Sequence, residues 1–344
     1  MNDFVPPRIA IIGGGLAGAT AAWALRKRGA EVTIFEQHKL ASGASGAAVG
    51  ALQPLPGMRL GLREDNIRGF FRTHQLLEEL CVRDRTWREP GILRLTTDDA
   101  QRSLWEERFA QLPPGLAEWR EGSHLRALEP RLTDAARAGV FIPQGTIVDM
   151  RAFVQALVDI SDARLYEGMR VHSIKEVGSE LELSLSEGHT ARFDYVVVAS
   201  GAQAPEPLAD KEVELSPYMG ILAAFAGIEP PKVAINHRGY IAGWRDNSVL
   251  VGTVDRRPPY ADEPTDASVR ELRSRLDQVL NIEGEEPRLL RVWTGIRPAL
   301  GDHTPLVRPS TEIERAWFFT GFGGRGLLLG PILAESLAEK MLGT

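Results

Sequence analysis

Between Arg8 and Glu36 the chain reads RIAIIGGGLAGATAAWALRKRGAEVTIFE, with Gly13, Gly15 and Gly18 in G-x-G-x-x-G spacing between two apolar runs. The run Ile9 to Ile12 predicts a strand, Leu16 to Arg28 a helix, and VTIF a second strand. Gly13 permits a tight reversal, Gly15 lets backbone approach a pyrophosphate, and Gly18 allows close packing of helix on strand. The helix would point its positive end and unbonded N–H groups at the phosphates. Glu36 lies 18 residues past Gly18 and closes the second run, where a carboxylate accepts hydrogen bonds from ribose hydroxyls and repels an added phosphate. An adenosine dinucleotide is the expected ligand. With no basic run ahead of it and no small-residue cleavage site, the stretch does not read as a secretory signal.

The 344 residues are enough for two packed domains, and 43% hydrophobic with 25% charged residues is the balance of a soluble globular chain. No uninterrupted apolar run is long enough to span a bilayer. A net charge of -6 argues against a surface that attracts nucleic acid or anionic lipid. The single cysteine, Cys81, excludes an intramolecular disulfide and a multi-cysteine metal site, so a cytoplasmic protein without a structural metal is expected.

After Glu36, QHKLASGASGAAVGALQPLPG has neither helical nor strand period and suits a loop along a ligand, with Ser42, Ser45 and Gly46 offering hydroxyls and N–H groups. Residues 63–82 carry Ile67, Phe70, Phe71, Leu76, Leu77 and Leu80 at helical spacing, and Cys81 is expected to pack there. PGILRLTT predicts a strand, DDAQRSLWEERFAQL a helix with an aspartate cap, AGVFIPQGTIVDM two short strands about a turn, and RAFVQALVDI a helix. From 165 to 201 strand follows strand, ending in the buried run Tyr195–Val198 and the small residues Ala199, Ser200 and Gly201. Alternation over 218–226 and 233–254, with a hairpin near Asp246 and Asn247, predicts an antiparallel sheet. A helix over 265–281, the strand AWFFT, the turn GFGGRG and the helix LLLGPILAESLAEKML complete the chain. Arginines 63, 68, 72, 83, 85 and 88 could form a basic face for RNA, though the glutamates nearby favour a mixed solvated face.

Five segments, taken together, resemble the D-amino acid oxidase superfamily of FAD enzymes, which includes glycine and sarcosine oxidases. They are the N-terminal fingerprint, GASGAAVGALQP, DYVVVASGA, GIRPALGDHTPLV and TGFGGRGLLLGP. Within that superfamily they are most similar to the oxidase domain of bifunctional enzymes that modify wobble uridine in tRNA. The resemblance implies an α/β fold in which a Rossmann-like FAD-binding domain, residues 1–85, 145–212 and 290–344, interleaves with a substrate domain built on an antiparallel sheet, residues 86–144 and 213–289. It also implies non-covalent FAD in an extended pose. Gly13, Gly15 and Gly18 would cradle the pyrophosphate and Glu36 the ribose, with Ser45 and Gly46 reaching the phosphates from the other side. The main chain of Val171 would meet the adenine, and Ala199, Ser200 and Gly201 would cover the ribityl and phosphate region. Gly50, Ala51, Leu52 and Gln53 would border the flavin ring, and Gly323, Gly324, Arg325 and Gly326 its pyrimidine edge.

The chemistry so implied is oxidation of a carbon–nitrogen bond in an amino acid or N-substituted glycine. The protein supplies orientation and charge stabilisation, and no acid–base side chain is needed once the amine is neutral. Arg297 is the main substrate candidate, matching the family arginine whose planar fork holds a carboxylate; the alternative is a structural salt bridge. Tyr240 would cover the substrate or supply a hydroxyl, or else pack in the core. His303 is a candidate near the flavin face, or an ordinary hydrogen-bonded residue. Arg325 would contact flavin or substrate, or be solvated. The expected partner is a small amine or amino acid, with oxygen or another electron acceptor. A carboxymethylaminomethyl group on tRNA is the second expectation, disfavoured by the net charge and by the absence of the methyltransferase half, and a flavin-binding protein without turnover is the third.

Overall fold

The computed structural model describes residues 5–80, 87–88, 90–96, 98–202, 213–260 and 264–343. The fingerprint folds as the strand Arg8–Ile12, the helix Leu16–Lys27 and the strand Glu31–Glu36. Arg8–Ile12 lies at the centre of a six-stranded sheet, parallel to Glu31–Glu36 on one side and to Tyr195–Val198 on the other. Arg164–Glu167 and Ala316–Thr320 extend it in parallel, and Leu306–Pro309 closes one edge antiparallel. Strands from three distant parts of the chain thus share one sheet, and its Ile9, Ile11, Ile34 and Val197 are fully buried against helices. The first helix packs on the last, Gly326–Leu342, and on Met150–Ser161. Close approach requires glycine at position 18, where a Cβ would stand 1.9 Å from the carbonyl oxygen of Gly13.

The second sheet has eight strands, in the order Arg288–Arg297, Tyr218–Ala226, Val249–Arg256, Tyr240–Gly243, Ala234–Asn236, Ile92–Thr96, Ala138–Ile142 and Glu118–Glu121. Every pairing is antiparallel except Ala234–Asn236 with Ile92–Thr96, which run parallel. That parallel seam adds Ile92–Thr96 and its neighbours to the antiparallel series expected over 218–226 and 233–254. The helix Asp266–Val279 covers one face and buries Leu272, Leu276 and Val279 against the strands. Arg288–Arg297 belongs to this sheet and crosses the boundary expected at residue 290.

Most elements agree with the periodicity. The helix Asp99–Phe109 opens on Asp98, whose side chain accepts from the N–H of Gln101, and Thr265 caps Asp266–Val279 in the same way. The two strands expected about a turn at 138–148 form but separate. Ala138–Ile142 joins the large sheet, whereas Thr146–Val148 pairs with Ala51–Leu52 and Trp87–Arg88 in a small one. A strand at Glu118–Glu121 and the helix Gly122–Leu128 were not expected, because EWRE has no alternation to mark a strand on the sheet edge. Cys81, Arg83 and Arg85 lie outside the described residues. In the remaining arginine series, Arg72 pairs with Glu79 and Glu335, and Arg68 with Asp65, a mixed charged face rather than a basic one. Among the described residues, no helix is long and apolar enough to cross a membrane, and no group of three metal-ligating side chains converges.

Candidate active site

A cavity of about 510 Å³ is walled by residues of both large sheets and of the loops between them. From the strands of the six-stranded sheet come Ile12, Phe35 and Glu36, from the turns that follow them Gly13, Gly15, Ala199, Ser200 and Gly201, and Val171 stands beside them at the start of Val171–Val177. The wall of the same cavity also holds Gly50, Ala51 and Gln53, Tyr240 and Arg297, and the turn Gly323, Gly324, Arg325 and Gly326. Residues more than three hundred positions apart therefore meet around one space.

The first strand–turn–helix has the local geometry of a pyrophosphate cradle. Gly13 has a φ of 111°, and a Cβ there would stand 2.5 Å from the carbonyl oxygen of Ala199. At Gly15 a Cβ would meet only the Ser45 hydroxyl oxygen, at 3.2 Å, so this residue faces open cavity. The Ser45 hydroxyl accepts from the N–H of Leu16 at 2.9 Å and thus lies at the positive end of the first helix. The Glu36 carboxylate accepts from the N–H groups of Gly14 and His38, both at 2.8 Å, which fixes it at the cavity wall at the end of its strand. An elongated anionic ligand with a ribose fits these donors, this acid and this glycine opening.

Three residues expected at the cofactor stand back from the wall. Gly18 serves helix packing, Leu52 is fully buried in the core, and a Cβ at Gly46 would stand 2.1 Å from the carbonyl oxygen of Ala41 and 2.9 Å from the Arg151 guanidinium. Gly46 is thus a packing glycine of the loop. His303 is exposed, has a φ of 59° and is absent from the cavity wall. Its carbonyl oxygen, not its ring, enters the site's bonding, by accepting from the Arg325 guanidinium. Burial holds the Arg325 guanidinium below its ordinary value, assisted by repulsion from Arg63.

Arg297 stands on the cavity wall and makes the salt bridge that was its alternative reading. Its side chain is 13% exposed on the cavity wall and ion-pairs with Asp255 at 3.0 Å. The guanidinium also lies over the Tyr218 ring, 5.4 Å from its centroid. Gly220 makes room for it, since a Cβ there would stand 2.6 Å from a guanidinium nitrogen. Tyr240 borders the cavity, with its hydroxyl 3.4 Å from the Gln53 amide nitrogen. Burial raises the Tyr240 phenol, outweighing the opposing effects of Arg94 and Gln53. It therefore remains a protonated donor at neutral pH. Sequence reasoning missed Tyr218, Asp255 and Arg94. No local motif marks them, and only the strand register, in which Tyr218 lies opposite Arg297, brings the first into place.

The family described as FAD dependent oxidoreductase matches residues 8–340. The chain belongs to this family. It is 29% identical over 338 residues to the tRNA 5-methylaminomethyl-2-thiouridine biosynthesis bifunctional protein MnmC of Maricaulis maris, covering 97% of this chain and 52% of that protein. It spans about half the length of that relative. Against the glycine oxidase of Bacillus licheniformis it is 25% identical, over 97% of this chain and 92% of the relative. The crystal structure of glycine oxidase from Geobacillus kaustophilus superposes with a TM-score of 0.83 at 25% identity, covering 97% of this chain and 95% of that one. This family enzyme is thus an FAD-dependent oxidoreductase with the Rossmann-like architecture expected from its first strands.

Proposed function

We propose that this oxidoreductase oxidises the carbon–nitrogen bond of a small amino acid or N-substituted glycine. The observation that carries the reading is Arg297, a nearly buried guanidinium on the wall of the cavity that also holds the nucleotide cradle. Its fork matches a carboxylate, and the Tyr240 hydroxyl on the same wall donates a further hydrogen bond. Together they orient a substrate whose carboxylate lies one carbon from the amine. Gly13, Gly15, Glu36, Ser45, Ala199 and the Gly323–Gly326 turn would hold FAD non-covalently, and when bound it would supply a two-electron acceptor. The first N–H groups of the last helix have no intrahelical acceptors and stabilise the negative charge that develops beside them. The substrate leaves as an imine, which water hydrolyses to an amine or ammonia and a carbonyl acid, and oxygen or another acceptor takes the electrons.

The second reading keeps this site and makes the amine a carboxymethylaminomethyl group carried on tRNA; the similarity to the bifunctional tRNA-biosynthesis relative favours it. One experiment tests both readings. The flavin absorbance of the purified protein is followed without oxygen as glycine, sarcosine, D-amino acids and undermodified tRNA are added. Reduction by a small carboxylate amine, slowed at least a hundredfold in Arg297→Ala, supports the first reading. Reduction by tRNA alone supports the second, and an Arg297→Ala rate within twofold of the parent removes the carboxylate clamp.

A further inference from the structure

The loop after the strand Ala51–Leu52 runs from Gln53 to Met58, and two of its residues, Gln53 and Pro56, wall the cavity. Its main chain is held from the second sheet. Arg94, in the middle of Ile92–Thr96, is 2% exposed and is the only arginine in the buried core among the described residues. It donates to the carbonyl oxygens of Leu55 and Gly57 through its two terminal nitrogens. Trp105, from the helix Asp99–Phe109, lies with its ring centroid 5.0 Å from the guanidinium and donates its indole N–H to the carbonyl oxygen of Met58 at 2.8 Å. Three carbonyls within four residues are thus tied to a buried cation and an indole, neither of which belongs to the loop or the cavity wall.

At the head of the loop, the Gln53 side-chain oxygen accepts from the N–H of Leu55 at 2.8 Å, and its amide nitrogen reaches the Tyr240 hydroxyl. The chain of contacts runs from Arg94 through Leu55 and Gln53 to Tyr240. A buried guanidinium without a carboxylate partner is costly, and an apolar side chain would fill a core position without that cost. Among the described residues, Arg94 has no acidic partner and its Nε has no hydrogen-bond partner. Burial draws its guanidinium down to about 10, which still leaves it charged at neutral pH.

We propose that Arg94, backed by Trp105, is a positioning residue for the substrate: it holds the Gln53–Met58 loop against the cavity and, through Gln53, sets the Tyr240 hydroxyl. The inference rests on the reading of Tyr240 as a substrate contact. Arg94 touches neither cofactor nor substrate, and its effect is on binding rather than on the chemical step.

The test uses the FAD-loaded protein and the best carboxylate amine from the panel above. Arg94→Lys keeps the charge, but a single ammonium cannot reproduce the planar fork on two carbonyls. It should raise KM about tenfold and leave kcat and flavin content within twofold. In a Tyr240→Phe background the same change should raise KM less than twofold, because the two residues act along one path. Trp105→Phe keeps a ring beneath the guanidinium, loses the bond to Met58, and should give a smaller rise in KM. A KM within twofold in Arg94→Lys, an equal rise in both Tyr240 backgrounds, or a joint fall of kcat, flavin content and melting temperature would each overturn the proposal. If no amine reduces the flavin, the proposed reaction fails separately, and the clamp is read from amide hydrogen exchange. Exchange at Leu55, Gly57 and Met58 that is about tenfold faster in Arg94→Lys, with the second sheet unchanged, supports it; unchanged exchange at these amides overturns it.

Discussion

Replacing Gly15 with alanine separates what the polypeptide tolerates from what its cofactor tolerates. Gly15 has φ −83° and ψ −174°, an extended conformation open to any residue, and it sits at the N-cap of the first helix. The only heavy atom within 4 Å of the added Cβ is the Ser45 hydroxyl oxygen at 3.2 Å, which can move by a few tenths of an ångström. Glycine to alanine at an N-cap costs about 0.5–1 kcal/mol. For a chain of this size that lowers the melting temperature of the apoprotein by about 1–3 °C. The same methyl stands in the cavity where a phosphate must approach main-chain N–H groups to about 2.9 Å. Losing even one charge-assisted hydrogen bond, at about 1.5–3 kcal/mol, weakens FAD by roughly ten- to a hundredfold. Titration of apoprotein with FAD, followed by quenching of flavin fluorescence, measures the second quantity and calorimetry the first. Gly18→Ala is the contrast: its Cβ would stand 1.9 Å from a main-chain oxygen, so overpacking of about 1–3 kcal/mol should depress folding and flavin content together. A Gly15→Ala protein that binds FAD within threefold of the parent would refute the pyrophosphate cradle.

Other expectations follow from the same geometry. Asp255→Asn removes the carboxylate 3.0 Å from Arg297; because Asp255 is 55% exposed the pair is worth only about 0.2–1 kcal/mol, so KM for a carboxylate substrate should fall by at most about fivefold. A rise in KM would count against a free-carboxylate contact at Arg297. His303→Ala should leave kcat and KM within twofold, since the ring is outside the cavity wall, and a tenfold loss in steady-state rate would restore the histidine to the site. Glu129 governs an acid transition. Burial opposes its charge, but hydrogen bonds from the Arg131 side chain and from the N–H groups of Lys232 and Arg131 hold its carboxyl below the ordinary value of 4.5. Stability from the ionised form is therefore fully present above that value and is lost as the pH falls through the lower folded one. Melting curves of the parent and Glu129→Gln should accordingly converge below pH 4.5, and a constant gap down to the lowest pH would rule out this source.

The nucleotide half was legible because its signals are local. Gly13, Gly15, Gly18 and Glu36 lie within one strand–helix–strand unit, and their spacing reports geometry directly. Much of the second sheet was legible for the same reason, since 218–226 and 233–254 carry strand-length apolar runs, although Tyr218–Ala226 and Val249–Arg256 are buried along most of their length and not on alternate residues. The substrate side was only partly legible. Arg297 was found through a motif, but Asp255, its partner, lies 42 positions away on the far side of the strand Tyr218–Ala226, and only sheet register pairs them. Arg94 was invisible because a lone arginine in LRL reads as the polar face of a strand. Its burial arises from the loop and indole that cover it. The histidine of GDHTP shows the converse failure: a motif fixes which loop comes near, not which way a side chain turns in it.

The cavity's wall begins at Ile12 and is completed only by the turn at Gly323–Gly326 and the helix that follows. A nascent chain therefore has no complete pocket until nearly all of this sequence has left the ribosome. Flavin capture must therefore follow formation of both sheets. Nicking that releases the last helix should discharge the bound flavin even though the glycine fingerprint stays intact.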